Sequence, residues 1–353
     1  MSEQIKVLII DDSAVVRQVL TKILGDQPDI KVVAACIDPL YAREKIKALK
    51  PDVITLDIEM PRMDGLTFLD KLMRLHPLPV VMISTLTDAG ADATLKALEL
   101  GAIDFVSKPK SDTRNRLSDE YAEEVIAKVR TAAKSRVKAR QVSDPMHPSV
   151  LASMGFKTTE SIVAIGASTG GTEAIKEVLM QMPADAPGMI ITQHIPAPFS
   201  GPFAERMNRC SRVSVALAKQ GQQILPGHAY IAPGDQHLEV RRDGARFICH
   251  LGSRDLVNRH CPSVEVLFDS VAKHVGQNAI GVMLTGMGKD GAEAMLRLRQ
   301  TGARTIAQDE ASSVVWGMPG EAVKIGAAEL QAPLQQIPKT IFSLLRQRKQ
   351  LAS

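Results

Sequence analysis

The sequence predicts an α/β protein with two domains joined by a linker, and three observations support this fold class. Short runs rich in Val and Ile alternate with longer amphipathic segments along most of the 353 residues, which is typical of strands and helices in turn. The short runs are apolar at successive positions, as expected of strands buried on both faces of a parallel sheet. The alternation fades between residues 135 and 157, where Pro145 and Pro148 interrupt any helix. The chain is long enough to bury two separate cores.

Residues 1–134 contain repeated strand–helix units, which predict a doubly wound, five-stranded parallel sheet. The predicted strands are Ile5–Ile10, Lys31–Cys36, Val53–Leu56, Val80–Ile83 and Ile103–Val106. The predicted helices are Ala14–Leu24, Pro39–Leu49, Gly65–His76, Ala91–Leu100 and Arg114–Lys134.

Residues 135–157 are basic and then rich in Pro, Ser and Met. We interpret them as a solvated linker, with a docking surface as the alternative. Residues 158–353 predict a second α/β domain with a mostly parallel sheet and a β-hairpin that turns at Arg242-Asp243-Gly244. Its predicted strands are Ser161–Ile165, Met189–Thr192, Val213–Ala218, Ala229–Ala232, His237–Arg241, Arg246–His250, Ile280–Thr285 and Arg304–Ala307. Its predicted helices are Thr172–Met182, Gly201–Cys210, Ser263–Val275, Gly291–Thr301 and Pro333–Arg348.

The composition argues against several classes of function. A net charge of +4 is too weak to predict nucleic-acid binding, and 1 Trp, 3 Tyr and 8 Phe offer little surface for stacking bases. Met1–Lys6 lacks the features of a signal peptide, and no apolar run is long enough to span a bilayer. We therefore expect a cytoplasmic protein that binds no nucleic acid and is not itself a membrane protein.

The cysteines do not predict a zinc or redox site. The four of them form no Cys-x-x-Cys pair. Cys249-His250 and His260-Cys261 could suggest zinc, but Cys249 and His250 are neighbours on a predicted strand. Their side chains would point to opposite faces of that strand, so they cannot simply share a metal.

Three carboxylates lie at the ends of strands in the first predicted sheet. Asp11 and Asp12 end the first strand, and Asp57 ends the third. In a sheet of order 2-1-3-4-5 these strands are neighbours at the topological switch point, where ligands bind. Without a counter-charge the three groups would repel and raise one another's pKa. A hard divalent cation such as Mg²⁺ is therefore predicted to neutralise them.

Hydroxyl and ammonium groups lie at the ends of the fourth and fifth strands. Ser84 and Thr85 end the fourth strand, and Lys108, which precedes Pro109, follows the fifth. A turn or a helix cap is the simpler explanation for any single Asp at a strand end. All of these groups together favour a site that accepts a phosphoryl group on Asp57.

Residues 5–110 resemble the receiver domain of bacterial two-component response regulators. The segments that carry the resemblance are Leu8–Ser13, Asp57–Gly65, Ser84 with Thr85, and Lys108-Pro109. The resemblance implies that Asp57 accepts a phosphoryl group from a histidine kinase. It also implies that Asp11 and Asp12 help to hold Mg²⁺, with the backbone carbonyl of Glu59 as a further ligand.

The same resemblance assigns the switch residues. Ser84 is the switch hydroxyl by its place directly after the apolar run, with Thr85 as the alternative. Phe105 lies where receiver domains usually carry a switch aromatic, and a plain core residue is the alternative.

The second domain begins with a strand that runs into a glycine-rich turn, Gly166-Ala167-Ser168-Thr169-Gly170-Gly171. One interpretation is a phosphate cradle at a helix N-terminus, but neither Gly-x-Gly-x-x-Gly nor Gly-x-x-x-x-Gly-Lys-Ser/Thr is present. The other is a nucleophile turn, Gly-x-Ser-x-Gly, that exposes the hydroxyl of Ser168. A plain strand–helix turn is the alternative to both.

A serine nucleophile needs a base and an orienting acid. His194 follows the next strand, so a parallel sheet would place it at the same edge as Ser168, although it could be an ordinary loop histidine. Asp290 lies in a second glycine-rich turn, where a helix N-cap is the alternative. Asp309 is a weaker candidate for the acid because its context is a plain polar turn. The order Ser, His, Asp disfavours the α/β-hydrolases.

Several segments of the second domain resemble the chemotaxis protein-glutamate methylesterase family. They are Ala164–Thr172, Gln193-His194, Leu225–Gly234, Pro262–Val264 and Leu284–Gly291. With the receiver-like segment in front, the resemblance covers nearly the whole chain apart from the linker.

This second resemblance implies a catalytic triad of Ser168, His194 and Asp290, with the backbone N–H of Met287 as an oxyanion donor. It implies hydrolysis of glutamate γ-methyl esters on chemoreceptor helices, with release of methanol, and deamidation of receptor glutamines. The esterase chemistry would need no cofactor. A chemotaxis histidine kinase would be the phosphodonor, and phosphorylation of the receiver is expected to activate the esterase.

Three other functions compete with this one. A DNA-binding response regulator needs a helix-turn-helix and a basic recognition face, and the mildly basic α/β second domain predicts neither. A signalling adaptor with an inactive enzyme domain is disfavoured because Ser168, His194 and Asp290 are all present. A nucleotide-dependent enzyme built on the Ser168 turn could be tested by measuring nucleotide binding.

Overall fold

The computed structural model describes residues 4–85, 87–108, 119–135, 137 and 161–352. The chain divides into two compact units, residues 1–144 and 145–353. Nearly all of the linker predicted at 135–157 lies outside the described residues, as do Pro109 and the first turn of the helix predicted from Arg114.

The first unit contains the predicted five-stranded parallel sheet, in the order β2-β1-β3-β4-β5. Its strands are β1 (Ile5–Ile10), β2 (Ile30–Cys36), β3 (Val53–Asp57), β4 (Val80–Ser84) and β5 (Asp104–Ser107). Its helices are α1 (Ala14–Gly25), α2 (Pro39–Leu49), α3 (Gly65–Leu75), α4 (Asp88–Leu100) and α5 (Asp119–Lys134). Every residue of β3 and β4 is buried, which explains why these strands are apolar at successive positions.

Several boundaries in this unit differ from the prediction. The strands β3 and β4 extend to Asp57 and Ser84, one residue beyond the predicted bounds at Leu56 and Ile83. The helix α4 begins at Asp88 rather than Ala91 because Thr87 caps it: the Thr87 Oγ1 atom accepts the N–H of Gly90 at 3.0 Å.

The second unit contains a seven-stranded sheet in the order β14-β13-β12-β6-β7-β9-β8, in which every pair of neighbours is parallel. Its strands are β6 (Ile162–Ala167), β7 (Gly188–Gln193), β8 (Ser214–Leu217), β9 (His228–Ile231), β12 (Ala279–Met283), β13 (Arg304–Gln308) and β14 (Leu330–Ala332). The strands β10 (Leu238–Asp243) and β11 (Arg246–Leu251) form the predicted antiparallel hairpin. The α/β fold class with a hairpin is thus confirmed.

The helices of the second unit are α6 (Gly171–Met180), α7 (Ala197–Cys210), α8 (Val264–His274), α9 (Ala292–Gln300), α10 (Met318–Lys324) and α11 (Ile337–Ala352). The helix α10 and the strand β14 were not predicted, because a seven-residue helix and a three-residue strand are too short to show periodicity. The predicted start of α7, at Gly201, is also too late. The helix in fact begins with Pro198 in its first turn, where proline is favoured, and includes Pro202.

The sheet order of the second unit determines which loops meet. The strand β6 lies between β7 and β12, and all three are parallel. Their carboxyl ends therefore share one edge, and the residues that follow Ala167, Gln193 and Met283 converge there. The strand β12 ends at Met283, so Leu284 and Thr285 belong to the turn and not to the predicted strand. Among the described residues, none of the helices is both long and apolar enough to cross a membrane.

Candidate active site and candidate phosphoryl-acceptor site

Ser168 is the first residue after β6 and lies in the tight turn that leads into α6. Its backbone N–H donates to the carbonyl of Thr285 at 3.0 Å. Gly170 has a φ of 76°, in the left-handed region that other residues rarely adopt. A Cβ atom on Gly171 would come within 2.1 Å of Oε1 of Gln193. Two glycines are therefore required for the turn that presents the Ser168 hydroxyl.

His194 is the first residue after β7, and its ring bridges Ser168 and Asp290. The Nδ1 atom lies 3.1 Å from Oγ of Ser168, and the Nε2 atom lies 2.9 Å from Oδ2 of Asp290. The backbone N–H of His194 donates to the carbonyl of Ala167 at 3.1 Å, which ties the ends of β6 and β7 together. When Nε2 carries the proton donated to the carboxylate, Nδ1 presents a lone pair to the Ser168 hydroxyl. The arrangement is that of a nucleophile, a base and an orienting acid.

Asp290 is buried and accepts several hydrogen bonds. Its donors are the His194 ring at 2.9 Å, the Asn258 amide at 2.9 Å, the Ser263 hydroxyl at 2.8 Å and the Val264 N–H at 2.7 Å. Burial acts to raise the pKa of Asp290, but the hydrogen bond and charge of His194, helped by the other donors, outweigh it and lower the pKa to about 2. The carboxylate is therefore ionised at neutral pH and can orient the His194 ring.

The turn between β12 and α9 brings Gly286 beside Ser168. A Cβ atom on Gly286 would lie 2.9 Å from the Cβ atom of Ser168. Backbone hydrogen bonds hold the turn: the N–H of Gly286 donates to the carbonyl of Val315 at 3.0 Å, and its carbonyl accepts the N–H of Met318 at 2.9 Å. Met287 follows directly, so its peptide N–H belongs to the turn that contacts Ser168. Backbone N–H groups in such turns can stabilise an oxyanion.

Gln193, the last residue of β7, contacts the backbone of both Ser168 and His194. No role for its side chain was predicted from the sequence. Its Nε2 atom donates to the carbonyl of Ser168 at 2.9 Å and to the carbonyl of His194 at 3.1 Å. The side chain is buried. Its place next to His194 was the only signal in the sequence, and it did not reveal a contact with a residue on another strand.

The segment 257–263 before α8 supplies further contacts that were not predicted from the sequence. Asn258 and Ser263 donate to Asp290, as described above. The ring of His260 stacks on the ring of His194, with centroids 3.7 Å apart and an angle of 15° between the planes. These contacts join residues far apart in the chain, which no local pattern could indicate.

The alternative assignments in this unit are not supported by the geometry. Asp309 accepts the N–H of Ser312 at 3.0 Å, as a turn residue does, while Asp290 is the acid that contacts His194. Cys249 is buried in β11, and burial raises the pKa of its thiol to about 12, so it does not ionise readily.

The three carboxylates of the first unit meet at the carboxyl edge of its sheet. One oxygen each of Asp11, Asp12 and Asp57 lies within 4.8 Å of the other two, and this is the one such group of potential metal ligands within the described ranges. Asp11 and Asp57 are buried, whereas Asp12 is exposed. The Nζ atom of Lys108 lies 2.7 Å from Oδ2 of Asp57 and 3.7 Å from Oδ2 of Asp11. The strand-end groups predicted to converge are thus together.

The electrostatics of this cluster fit a divalent cation. Burial, together with the charge of Asp57, raises the pKa of Asp11 to about 6. Burial also raises the pKa of Asp57, and the hydrogen bond and charge of Lys108 offset this only in part. Oδ2 of Asp11 is buried without a hydrogen-bond partner. The single ammonium therefore does not compensate the carboxylates fully, and their oxygens suit a hard cation such as Mg²⁺.

The remaining predicted groups of the first unit lie around this cluster. The backbone N–H of Glu59 donates to Oδ1 of Asp57 at 3.3 Å. Ser84 is buried, with its Oγ atom 2.6 Å from Oγ1 of Thr94, whereas Thr85 is partly exposed. Phe105 is buried in β5.

The fold and the two sites define a class of protein in which a receiver-like domain with a carboxylate cluster accompanies a hydrolase-like domain with a Ser–His–Asp relay. A family model described as "Response regulator receiver domain" matches residues 7–118, and one described as "CheB methylesterase" matches residues 163–341. The chain belongs to the CheB methylesterase family.

Full-length relatives support this membership. The chain is 56% identical over 355 residues to "Protein-glutamate methylesterase/protein-glutamine glutaminase 1" of Xanthomonas campestris, which covers 98% of each chain. It is 52% identical to "Protein-glutamate methylesterase/protein-glutamine glutaminase" of Hydrogenovibrio crunogenus, over 97% of this chain and 99% of that one. The solved catalytic domain of Thermotoga maritima CheB methylesterase matches with a TM-score of 0.51 and 33% identity, over 52% of this chain and 98% of that one.

Proposed function

We propose that the chain is a phosphorylation-activated hydrolase that demethylates glutamate γ-methyl esters on chemotaxis receptors and deamidates receptor glutamines, for sensory adaptation. The observation that carries the proposal is the relay in which the His194 ring joins Oγ of Ser168, at 3.1 Å, to Oδ2 of Asp290, at 2.9 Å. The names of the relatives, which state both activities, support the substrate class.

In the first step, Nδ1 of His194 takes the proton of Ser168 as Oγ attacks the ester carbonyl carbon. Asp290 orients the ring and stabilises the imidazolium that forms. The carbonyl oxygen becomes an oxyanion, for which we assign the N–H of Met287 as a donor because its peptide belongs to the turn beside Ser168. The tetrahedral intermediate collapses, the bond to the methoxy oxygen breaks, and His194 returns the proton so that methanol leaves.

In the second step, water hydrolyses the acyl-enzyme. His194 takes a proton from the water as its oxygen attacks the acyl carbon, and then returns that proton to Oγ of Ser168. The products are a free glutamate side chain and the original enzyme. On a glutamine side chain the same sequence breaks the C–N bond, and ammonia leaves in place of methanol.

Activation begins at Asp57. A carboxylate oxygen of Asp57 attacks the phosphorus of a phosphohistidine on a chemotaxis histidine kinase, and the P–N bond breaks. Lys108, whose ammonium already lies 2.7 Å from Asp57, would pair with the phosphoryl oxygens.

The remaining receiver residues have supporting roles in this proposal. Asp11, Asp12, Asp57 and the carbonyl of Glu59 would hold Mg²⁺, which when bound neutralises the carboxylates and the phosphoryl oxygens. The Ser84 hydroxyl, or alternatively that of Thr85, would then hydrogen-bond the phosphoryl group and report its presence to the rest of the receiver.

The corresponding division of the chain is a receiver domain at 1–134, a linker at 135–157 and a catalytic domain at 158–353. We place its action in the cytoplasm, where the kinase and the receptor helices would meet it.

The test is methanol release from a methylated receptor by the full-length protein, with and without acetyl phosphate and Mg²⁺. We expect release to increase with the phosphodonor and to be absent in Ser168→Ala. Ser253→Ala, which removes an exposed hydroxyl from a loop, serves as the control and should match the wild type. No release by the wild type would reject the function, and release by Ser168→Ala would reject the nucleophile.

A further inference from the structure

We propose that His260 is a positioning residue that holds the imidazole of His194 in its reactive orientation. The inference deepens the proposed function and rests on it, because it concerns the same hydrolytic site. The two rings form a face-to-face stack, with centroids 3.7 Å apart and planes 15° from parallel. This separation is a van der Waals contact across the whole ring face.

The hydrogen bonds of His194 hold its ring at two atoms but constrain its orientation only loosely. Nδ1 is held by Ser168 at 3.1 Å and Nε2 by Asp290 at 2.9 Å. The ring is also bonded to the backbone through Cβ. It can still make small rotations about its side-chain torsions, because hydrogen bonds tolerate moderate deviations in distance and angle. A flat ring packed against the face of His194 blocks rotation toward that side, so His260 adds a constraint to those of the hydrogen bonds.

A tight turn fixes the backbone of His260. The N–H of Val257 donates to the carbonyl of His260 at 3.0 Å, and the N–H of His260 donates to the carbonyl of Val257 at 2.9 Å. Between them, Asn258 and Arg259 have φ values of 52° and 69°. Two successive residues in the left-handed region are the signature of a type I′ turn. Asn tolerates this backbone, but it is strained for Arg259 and persists there only where surrounding contacts hold it.

The same turn is anchored to the acid. Nδ2 of Asn258 donates to Oδ1 of Asp290 at 2.9 Å. The turn therefore touches both members of the base–acid pair: Asn258 contacts the acid, and His260 contacts the base. The strain of the turn is offset by these contacts, and the ring of His260 is held at a defined place relative to Asp290.

The experiment compares variants of the full-length protein at His260 with a matched histidine variant. His260→Ala removes the ring, His260→Gln keeps a polar chain without a ring, and His260→Phe keeps a flat ring without nitrogen atoms. His250→Ala is the control, since His250 lies on the β10–β11 hairpin with its Nδ1 3.0 Å from Nε2 of Gln220.

Two readouts separate positioning from substrate binding. One is kcat and KM for methanol release from a methylated receptor. The other is the rate at which diisopropyl fluorophosphate modifies Ser168, which reports on the nucleophile and base without any receptor. Circular dichroism and thermal melting show whether each variant is folded.

We expect His260→Ala and His260→Gln to lower kcat and the labelling rate by about 10- to 100-fold, with KM unchanged. His260→Phe should recover both rates to within about threefold of the wild type, because it restores the flat contact. His250→Ala should match the wild type. If His260→Ala fails to fold, the comparison of His260→Gln with His260→Phe shows whether the flat ring is what positions His194.

Three results would overturn the inference: an unchanged kcat and labelling rate in the ring-less variants, a change confined to KM, or a His260→Phe variant as slow as His260→Gln. The failure of the proposed function is recognised separately. It would appear as no methanol release by the wild type, while the labelling of Ser168 would still show whether His260 positions the base.

Discussion

The Nδ1 atom of His194 lies 3.1 Å from the Oγ atom of Ser168, so the base reaches the nucleophile through the ring nitrogen nearer its own backbone. The sheet order explains this orientation. Ser168 and His194 follow the adjacent strands β6 and β7, whereas Asp290 follows β12, on the far side of β6. The nucleophile is therefore close to the backbone of the base, and the acid is reached by the more distant nitrogen, Nε2.

Replacing the acid should nearly abolish activity. In Asp290→Asn the side-chain amide cannot stabilise a positive charge on His194, and it can favour the wrong tautomer. We expect kcat for methanol release to fall by about 10³- to 10⁴-fold, as in other Ser–His–Asp sites. Asp309→Asn is the matched control, because Asp309 accepts its hydrogen bond from Ser312. If Asp309→Asn proved the more damaging change, the acid would have been misassigned.

The same carboxylate should make stability depend on pH. The pKa of Asp290 falls from 3.8 to about 2 on folding, so its contribution is complete above pH 3.8 and is lost as the pH falls toward 2. At pH 6 this contribution is about 2 kcal/mol. We expect the wild type to exceed Asp290→Asn in free energy of unfolding by a larger amount at pH 6 than at pH 3. The measurement can use the fluorescence of Trp316, the single tryptophan. An equal difference at both pH values would contradict the lowered pKa.

Removing the amide of Gln193 should affect both stability and rate. In Gln193→Met the carbonyls of Ser168 and His194 lose the donor that joins them. We expect a loss of about 1 to 3 kcal/mol in the free energy of unfolding, since buried acceptors lose a partner. We also expect kcat to fall by about tenfold, because the nucleophile and base are no longer tied together. Gln277→Met, at an exposed position, should change neither quantity.

Phosphodonor stimulation should depend on Asp57 and Lys108. We expect Asp57→Asn to take up no phosphoryl group from acetyl phosphate and to keep the basal methanol release of the unphosphorylated protein. Lys108→Ala should retain a reduced stimulation, because it removes the ammonium 2.7 Å from Asp57. Labelled phosphate and methanol release measure the two effects. Asp92→Asn, at an exposed position in α4, should behave as the wild type, and full stimulation of Asp57→Asn would reject the acceptor.

The two hydroxyls at the end of β4 should differ in their effect on stimulation. We expect Ser84→Ala to lower the ratio of stimulated to basal methanol release several-fold. Ser84 is the last residue of β4, and β4 pairs with β3, which ends at Asp57. Thr85→Ala, at a partly exposed position, should retain more of the stimulation. Equal phosphate uptake by both variants would show that the loss of stimulation arises in a step that follows phosphorylation. The reverse order of effects would make Thr85 the switch hydroxyl.

Much of the fold was accessible from the sequence because its signals are local. Buried parallel strands are apolar at successive positions, so β3 and β4 were recognised to within one residue. The segments β14 and α10 were missed because the first is stabilised by pairing with β13 and the second is too short to show a periodic face. The start of α4 depended on the Thr87 cap, a contact that apolar periodicity does not report.

The sequence by itself determined that the groups at strand ends would share an edge, because parallel strands leave no other arrangement: Asp11 with Asp57, and Ser168 with His194. Only the tertiary structure decided which nitrogen of His194 meets Ser168, and which residues hold the pair. Gln193, Asn258 and His260 take part through contacts between segments distant in the chain. Such contacts depend on how loops pack above the sheet edge, and a linear pattern of apolar and polar residues carries no record of that packing.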